Sequence, residues 1–344
     1  MSRFEEILEK SRKEIIEPEE ALYLFQITGD EEKAEELWKT ARFVREQSRG
    51  NIFRWSAGIA RVLRCNLRPL CLYCPYWREN GLKPLSIDEI LKGVAYIQQH
   101  GIREFHLSGG TTLGSEGHDV LHIVQAIREA GFDDLAIQVN CGAAMSLETL
   151  KELKRLGVFQ VSSVFETVNP SVFRRTKPGD DLEAKRQFAQ RIGEAGLELH
   201  TGIMAGLSPE ESKYRDYVDF IFQVRQYKHL RRVYVTKFTP FRGIPMEGYP
   251  ACSAWEAARL IAVIRLVLRD IDISSAAGWS PHDYPTPQMA GTGNTVGGIH
   301  INRTPGWKKG APEDGFQYQD DMEFRNTMEA LTKQYQEMGF TILP

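Results

Sequence analysis

The sequence has no run of roughly twenty apolar residues, the length needed to cross a bilayer. Its best stretch, Leu260–Leu268, is interrupted by Arg265. Neither sign of charge is in excess: 43 Lys and Arg stand against 46 Asp and Glu, a net of −3 spread along the chain. A nucleic-acid or anionic-membrane protein would usually carry a basic excess or a basic block, so neither partner is expected. The opening residues, MSRFEEILEKSRKEII, lack the apolar core of a signal peptide, and a cytoplasmic location is expected. Cysteine is scarce, five in 344 residues. An odd count without a secretory signal argues against a disulfide framework and for thiol or metal chemistry. A chain this long buries about three-quarters of the surface its unfolded form exposes, so it needs no staples.

The first fifty residues read as a helical extension. Asp30 is a good N-cap, and Ala34, Leu37, Trp38, Ala41 and Val44 follow at helical spacing until Gly50. From about residue 57 the chain alternates short apolar runs with amphipathic segments. Strands are expected at residues 57–63, 104–108, 135–140, 159–166, 198–205, 233–238, 272–276 and 295–301. The intervening helices carry start and stop signals. Ser86 with Glu89 makes a capping box, Ser208-Pro209-Glu210-Glu211 starts another helix, and Asp181 caps a run that Gly196 ends. Repeated strand–helix units imply a parallel sheet, and eight of them make a (βα)8 TIM-type barrel. The α/β barrel with its C-terminal cap is expected over residues 51–344. Within it, residues 277–317 are expected as long loops over one end, and 320–338 as a final helix.

Three of the five cysteines fall together, in Arg64-Cys65-Asn66-Leu67-Arg68-Pro69-Leu70-Cys71-Leu72-Tyr73-Cys74-Pro75. A structural zinc site needs a fourth protein ligand. Cys141 and Cys252 lie far off, and no histidine stands within twenty residues of the loop. A [4Fe–4S] cluster has four irons, so three cysteines leave one open to an external ligand. S-adenosylmethionine fits that vacancy through its amino and carboxylate groups. The loop follows the first expected strand and so opens on the C-terminal face, where barrels hold their active sites. Tyr73 offers an aromatic surface beside an adenine. The plain alternative is a zinc-binding or inert loop.

On these residues the chain resembles radical S-adenosylmethionine enzymes, over nearly its whole length. It is similar to the branch of biotin synthase, the [FeFe]-hydrogenase maturase HydE and methylornithine synthase. The family's usual spacing is C-x3-C-x2-C. The C-x5-C-x2-C found here resembles the HmdB (HcgA) enzymes, which act in assembly of the guanylylpyridinol cofactor of [Fe]-hydrogenase. The resemblance implies further cofactor-binding positions. Ser108-Gly109-Gly110 matches the glycine-rich turn that receives the methionyl ammonium. Glu166, in Phe165-Glu166-Thr167-Val168-Asn169-Pro170, matches a carboxylate that helps hold the cofactor. Lys185 or its neighbour Arg186 matches the cation that pairs with the methionyl carboxylate. Met204 and Gly206 match the segment against the adenine.

Asn140 is a further inward polar candidate on the cofactor side, and Thr236, Ser275, Asn294 and His300 are candidates for the substrate. Cys141 and Cys252 read as small core residues. The Ala290–Thr295 run offers backbone amides to an anion. The resemblance implies reductive cleavage of S-adenosylmethionine to a 5′-deoxyadenosyl radical, which takes hydrogen from a small-molecule substrate in cofactor biosynthesis. It also implies a one-electron reductant of flavodoxin or ferredoxin type and possible cofactor-assembly proteins. A rival of another class is an Fe–S maturation scaffold without radical turnover.

Overall fold

The computed structural model describes residues 1–78, 81–304 and 316–344. Among the described residues eleven strands form one sheet: β1 (Ile52–Ala60), β2 (Glu104–Ser108), β3 (Ala136–Asn140), β4 (Val158–Ser162), β5 (Glu198–Ala205), β6 (Leu230–Lys237), β7 (Asp272–Ser275), β8 (Thr295–Arg303), β9 (Phe316–Gln319), β10 (Met322–Asn326) and β11 (Thr341–Leu343). Their order is β7-β6-β5-β4-β3-β2-β1-β8-β10-β9, with β11 on the lower part of β1. The run from β7 to β8 is parallel throughout.

Three helices, α1 (Arg3–Ser11), α2 (Pro18–Ile27) and α3 (Glu31–Arg49), precede the sheet. Asp30 caps α3 through the Lys33 amide. The helices after the strands are α4 (Ile87–Gln99), α5 (His118–Glu129), α6 (Leu147–Arg155), α7 (Pro170–Thr176), α8 (Leu182–Glu194), α9 (Lys213–Val224), α10 (Ala254–Val267), the single turn α11 (Thr286–Met289) and α12 (Met328–Glu337). The expected capping box of Ser86 and Glu89 opens α4, and Asp181 caps α8. Outward strand residues such as Ile59, Leu107, Val139, Val161, Leu199, Val233 and Ile273 are fully buried beneath these helices. The apolar faces of α1–α3 join the same core, and α10, buried nearly all round, packs against α3. No helix among the described residues is long and apolar enough to cross a membrane.

Barrel closure is incomplete, which corrects the expectation of a fully closed (βα)8 barrel. Between β7 and β8 there is no ladder, only an isolated antiparallel bridge from Ile273 to Gly293. The upper part of β8 pairs with β1 on one edge and β10 on the other. The seam is latched at its lower end by Asp272, whose carboxylate accepts from the Asn294 amide and from Thr295 Oγ1 (2.9 Å).

Three further expectations change. Strand β1 begins at Ile52, because Phe53 and Trp55 alternate with exposed Arg54 on the buried outer face, Phe53 packing against Tyr335 and Arg45, a period-two pattern. The segment expected as one helix over 320–338 is β10 followed by α12: Asp320 sits in a left-handed turn, and Met322 and Phe324 are buried on a strand paired with β8. The glycine-rich run before β8 is not an anion loop. The amides of Gly291, Thr292, Gly293 and Asn294 already donate to Gln288, Pro287, Ile273 and Asp272, and the Gly291 and Gly293 carbonyls accept from the buried Arg265 guanidinium. Of the stretch expected as loops, residues 305–315 lie outside the described residues.

Candidate active site

The cysteine loop leaves β1 at its C-terminal end and is fastened to the turn after β2. The Val62 amide donates to the Ser108 carbonyl (3.1 Å), the Gly110 amide to Leu63 (2.8 Å) and the Asn66 amide to Thr111 (2.9 Å). Asn66 also pairs through its side chain with both backbone groups of Leu113. A methyl at Gly110 would overlap the Cys65 backbone, and one at Gly109 would lie 2.9 Å from the Leu63 side chain. The two glycines are therefore where the two loops touch. On the other side the Leu72 amide donates to the Thr176 carbonyl (2.8 Å), and Gly179 presses against Arg68 and Pro69. The Arg78 guanidinium donates to the carbonyl oxygens of Cys71 and Cys74.

Cys65, Cys71 and Cys74 are partly exposed free thiols. Among the described residues no three Cys, His, Asp or Glu side chains close around a single ion. A cluster asks for a different arrangement, one thiolate on each of three irons. Burial, then the neighbouring Cys71, pushes the Cys74 thiol up to about 12, and burial also raises Cys71. Metal binding at such thiols releases protons.

Glu166 reaches the same rim by a route the sequence did not suggest. Strand β4 ends at Ser162, and Glu166 returns to the sheet as a single bridge to Ile203. Its backbone is left-handed (φ 64°), fixed by its amide donating to Gly202 (3.0 Å) and its carbonyl accepting from Met204 (2.9 Å). The Oε2 atom is sealed from solvent and has no hydrogen-bond partner. Burial raises the carboxyl above its ordinary value, against the pull of Lys177 and Lys185. An orphaned acceptor aimed at this rim fits a ligand that brings hydroxyl or ammonium donors.

The two candidate cations on α8 face opposite ways. Lys185 points inward, 3% exposed, and its ammonium lies 3.1 Å from Asp180 Oδ2. Arg186 points to the outer face, where it bonds Gln223 (3.1 Å) and lies 3.6 Å from Glu183. A second buried ammonium, Lys177, shares Asp180 Oδ2 at 3.3 Å. Nothing in the sequence reading singled out Lys177 or Asp180.

Asn140 tops β3, where its side chain eases the rise that burial imposes on the Tyr234 phenol. Tyr234 stands over Gly202, which has no room for a side chain beneath that ring, and its phenol feels the Glu166 charge. Thr236 is buried two residues further along β6. His300 is registered with Gly58, and Gly58 with His106. The His106 ring lies over the Gly58 backbone, and burial, then His300 and Arg232, pushes it down to about 4. Met204 is nearly buried, and the Cβ direction of Gly206 is filled by Cys252 (2.7 Å).

Two substrate candidates do not join this group. Ser274 is registered with Tyr234 and Ser275 with outward Val235, so Ser275 faces away and meets the Tyr284 hydroxyl (3.3 Å). Asn294 sits at the lower end of the seam, where its carbonyl accepts from the Arg54 amide (2.7 Å). Cys141 and Cys252 are buried among apolar neighbours, as expected of core residues.

Below the rim the barrel floor is polar. Arg232 donates to Asp272 (2.8 Å), Glu104 (2.8 Å) and Gln138 (3.0 Å), and Gln138 meets His200. The signal was present in the sequence: Glu104, His106 and Ser108, then Gln138 and Asn140, then Arg232 and Tyr234 place polar groups at every second residue of otherwise apolar strands.

This geometry coincides with the comparisons. The model of the Radical SAM superfamily matches residues 60–221, a span from the end of β1 through α8 and into α9. The chain belongs to the radical SAM superfamily. It is an enzyme of that superfamily, with a [4Fe–4S] cluster and S-adenosylmethionine as cofactors. An uncharacterized protein of Methanocaldococcus jannaschii is 30% identical over 285 residues, 79% of this chain and 74% of that one. The biotin synthase of Pelotomaculum thermopropionicum is 29% identical over 274 residues, 77% of this chain and 82% of its own. The crystal structure of methylornithine synthase (PylB) superposes with a TM-score of 0.77 at 18% identity, covering 98% of this chain and 97% of that one. Its mostly parallel α/β sheet is the fold described above.

Proposed function

We propose that this radical SAM enzyme acts on a small-molecule precursor in cofactor biosynthesis, and that Cys65, Cys71 and Cys74 hold its cluster. One observation carries the reading: a fastened three-cysteine loop, the orphaned Glu166 Oε2 and the inward Lys185 meet at one rim of the sheet. When bound, the reduced cluster and S-adenosylmethionine together supply a 5′-deoxyadenosyl radical. The chain's own groups bind and orient. Lys185 offers its ammonium to the methionyl carboxylate, and Glu166 Oε2 accepts from the ribose hydroxyls or the methionyl ammonium. The Ser108–Gly110 turn would offer backbone groups to the methionyl end, and Tyr73 would offer its ring to the adenine. Asn140, Tyr234, Thr236 and His300 face the interior beneath, where a substrate is shielded from water.

The five-residue gap between Cys65 and Cys71 supports a finer reading, formation of the pyridinol part of the [Fe]-hydrogenase guanylylpyridinol cofactor. Anaerobic reconstitution followed by dithionite and S-adenosylmethionine tests the chemistry. 5′-Deoxyadenosine and methionine are the expected products, and a bound cluster that yields neither rejects the enzyme assignment. Isotope-labelled pyridinol precursors test the substrate, through transfer of substrate hydrogen into 5′-deoxyadenosine.

A further inference from the structure

The turn after α7 is pressed onto the cysteine loop at two points. The Thr176 carbonyl accepts from the Leu72 amide, and Gly179 packs on Arg68 and Pro69. Between those points lies Lys177, 4% exposed. Its ammonium lies 3.3 Å from Asp180 Oδ2, donates to the Val164 carbonyl (3.4 Å) and stands 4.9 Å from the Phe173 ring centre. Lys185 shares the same Asp180 oxygen. Two buried ammonium groups thus divide one carboxylate, which leaves one positive charge in a low-dielectric setting. Burying such an excess is costly unless another anion faces it. Cys71 and Glu166 are the acidic groups that Lys177 feels beyond Asp180, and Lys177 is the strongest positive influence on Cys71.

We propose that Lys177 is a positioning residue for the cluster: a buried cation, on the turn that Thr176 fastens to Leu72 next to Cys71, that favours the negative charge added when the cluster is reduced. Lys185 is left for the methionyl carboxylate, and Asp180 divides the two roles by fixing both ammonium groups at one oxygen. The inference rests on the assignment of Cys71 as a cluster ligand. The redox step is simple in balance. One electron enters the cluster from an external one-electron donor, no covalent bond breaks and no proton is taken up. Lys177 therefore acts through its charge, and its effect belongs in the reduction potential.

The test is a redox titration of the reconstituted protein, read by the spectrum of the reduced cluster without S-adenosylmethionine. Lys177→Met at full iron content is expected to lower the equilibrium constant for reduction at least tenfold, a shift of about 59 mV to more negative potential for one electron. Lys177→Arg keeps the charge and is expected to stay near wild type. Asp180→Asn removes the opposing anion and is expected to shift the potential in the positive direction. A loosened loop predicts no such opposite pair. Unchanged potential in Lys177→Met, or shifts of the same sign in Lys177→Met and Asp180→Asn, overturns the proposal. If Lys177→Met takes up no iron, Asp180→Asn decides alone: a positive shift supports the proposal and none rejects it. Failure of the underlying assignment looks different, because the wild-type protein then binds no cluster at all.

Discussion

Gly110 lies so close to Cys65 that a single methyl on the glycine would overlap the cysteine's backbone. The contact ties the turn after β2 to the loop after β1, and the Gly110 amide, donating to Leu63, completes the tie. Gly110→Ala is expected to displace the loop and reduce iron uptake. Overpacking of this kind typically costs about 1–3 kcal/mol. Iron content and the melting temperature of the apoprotein are the two measurements, and full iron uptake would show that the loop yields without consequence.

The cysteines divide by position. Replacing Cys65, Cys71 or Cys74 with Ala is expected to abolish the oxygen-sensitive brown absorption of the reconstituted protein. Cys141→Ala and Cys252→Ala, both in packed core positions, are expected to keep it. Retention of four irons after loss of Cys65 would remove that residue from the ligand set.

Glu166→Gln separates charge from shape. Burial raises the carboxyl above its ordinary 4.5, so at pH values just above 4.5 the folded state binds more protons than the unfolded chain. Stability therefore falls as pH rises past 4.5. The Gln variant escapes that loss. Its apoprotein is expected to melt higher than wild type at pH 7 and equally at pH 4, while its S-adenosylmethionine cleavage falls steeply. Equal cleavage rates and affinities would make Glu166 a carboxylate without a ligand.

His106 has the opposite sign. Its ring is pushed down to about 4, so the native state binds fewer protons than the unfolded chain below pH 6.5. Stability is expected to drop as pH falls from about 6.5 towards 4, and His106→Asn to soften that drop. Urea denaturation across this range checks it. Identical pH slopes in the two proteins would mean that the ring titrates normally.

Asp272 latches the seam and pairs Arg232 on the floor. Asp272→Ala leaves a buried guanidinium short of a partner and is expected to cost about 3–5 kcal/mol in chemical denaturation. A loss below about 1 kcal/mol, the range of an exposed pair, would mean that Glu104 and Gln138 hold Arg232 without it.

The strands and the cysteine loop were legible because their signals are local. Apolar runs, caps and a dense C-x5-C-x2-C stretch need no knowledge of distant residues. The register of Lys185 and Arg186 was not, since both are cations on one helix and only the packing of α8 on β5 and on the segment after β4, where Ser163 Oγ donates to the Lys185 carbonyl, turns one inward. Lys177 reads as a surface charge in Thr-Lys-Pro-Gly until the upstream cysteine loop folds over it. Glu166 was placed at the rim, yet its left-handed backbone and missing partner could not be read from a residue name. Ser275 failed by one residue, which on a strand reverses the face. Asn294 failed because β8 starts at Thr295, as expected, which leaves Asn294 at the strand's lower end and away from the rim.

The diversion of β8 towards β10 has a mechanical consequence. Most sheet contacts around the cysteine loop are continuous ladders, and spreading them would break several backbone bonds together. Along the upper part of the seam between β7 and β8 there is no ladder to break, because that edge of β8 is already paired with β10. The wall can change its girth there while Asp272 and the Ile273–Gly293 bridge act as the pivot below. Strain on that part of the wall is therefore not passed through a backbone ladder to the loop that carries Cys65, Cys71 and Cys74.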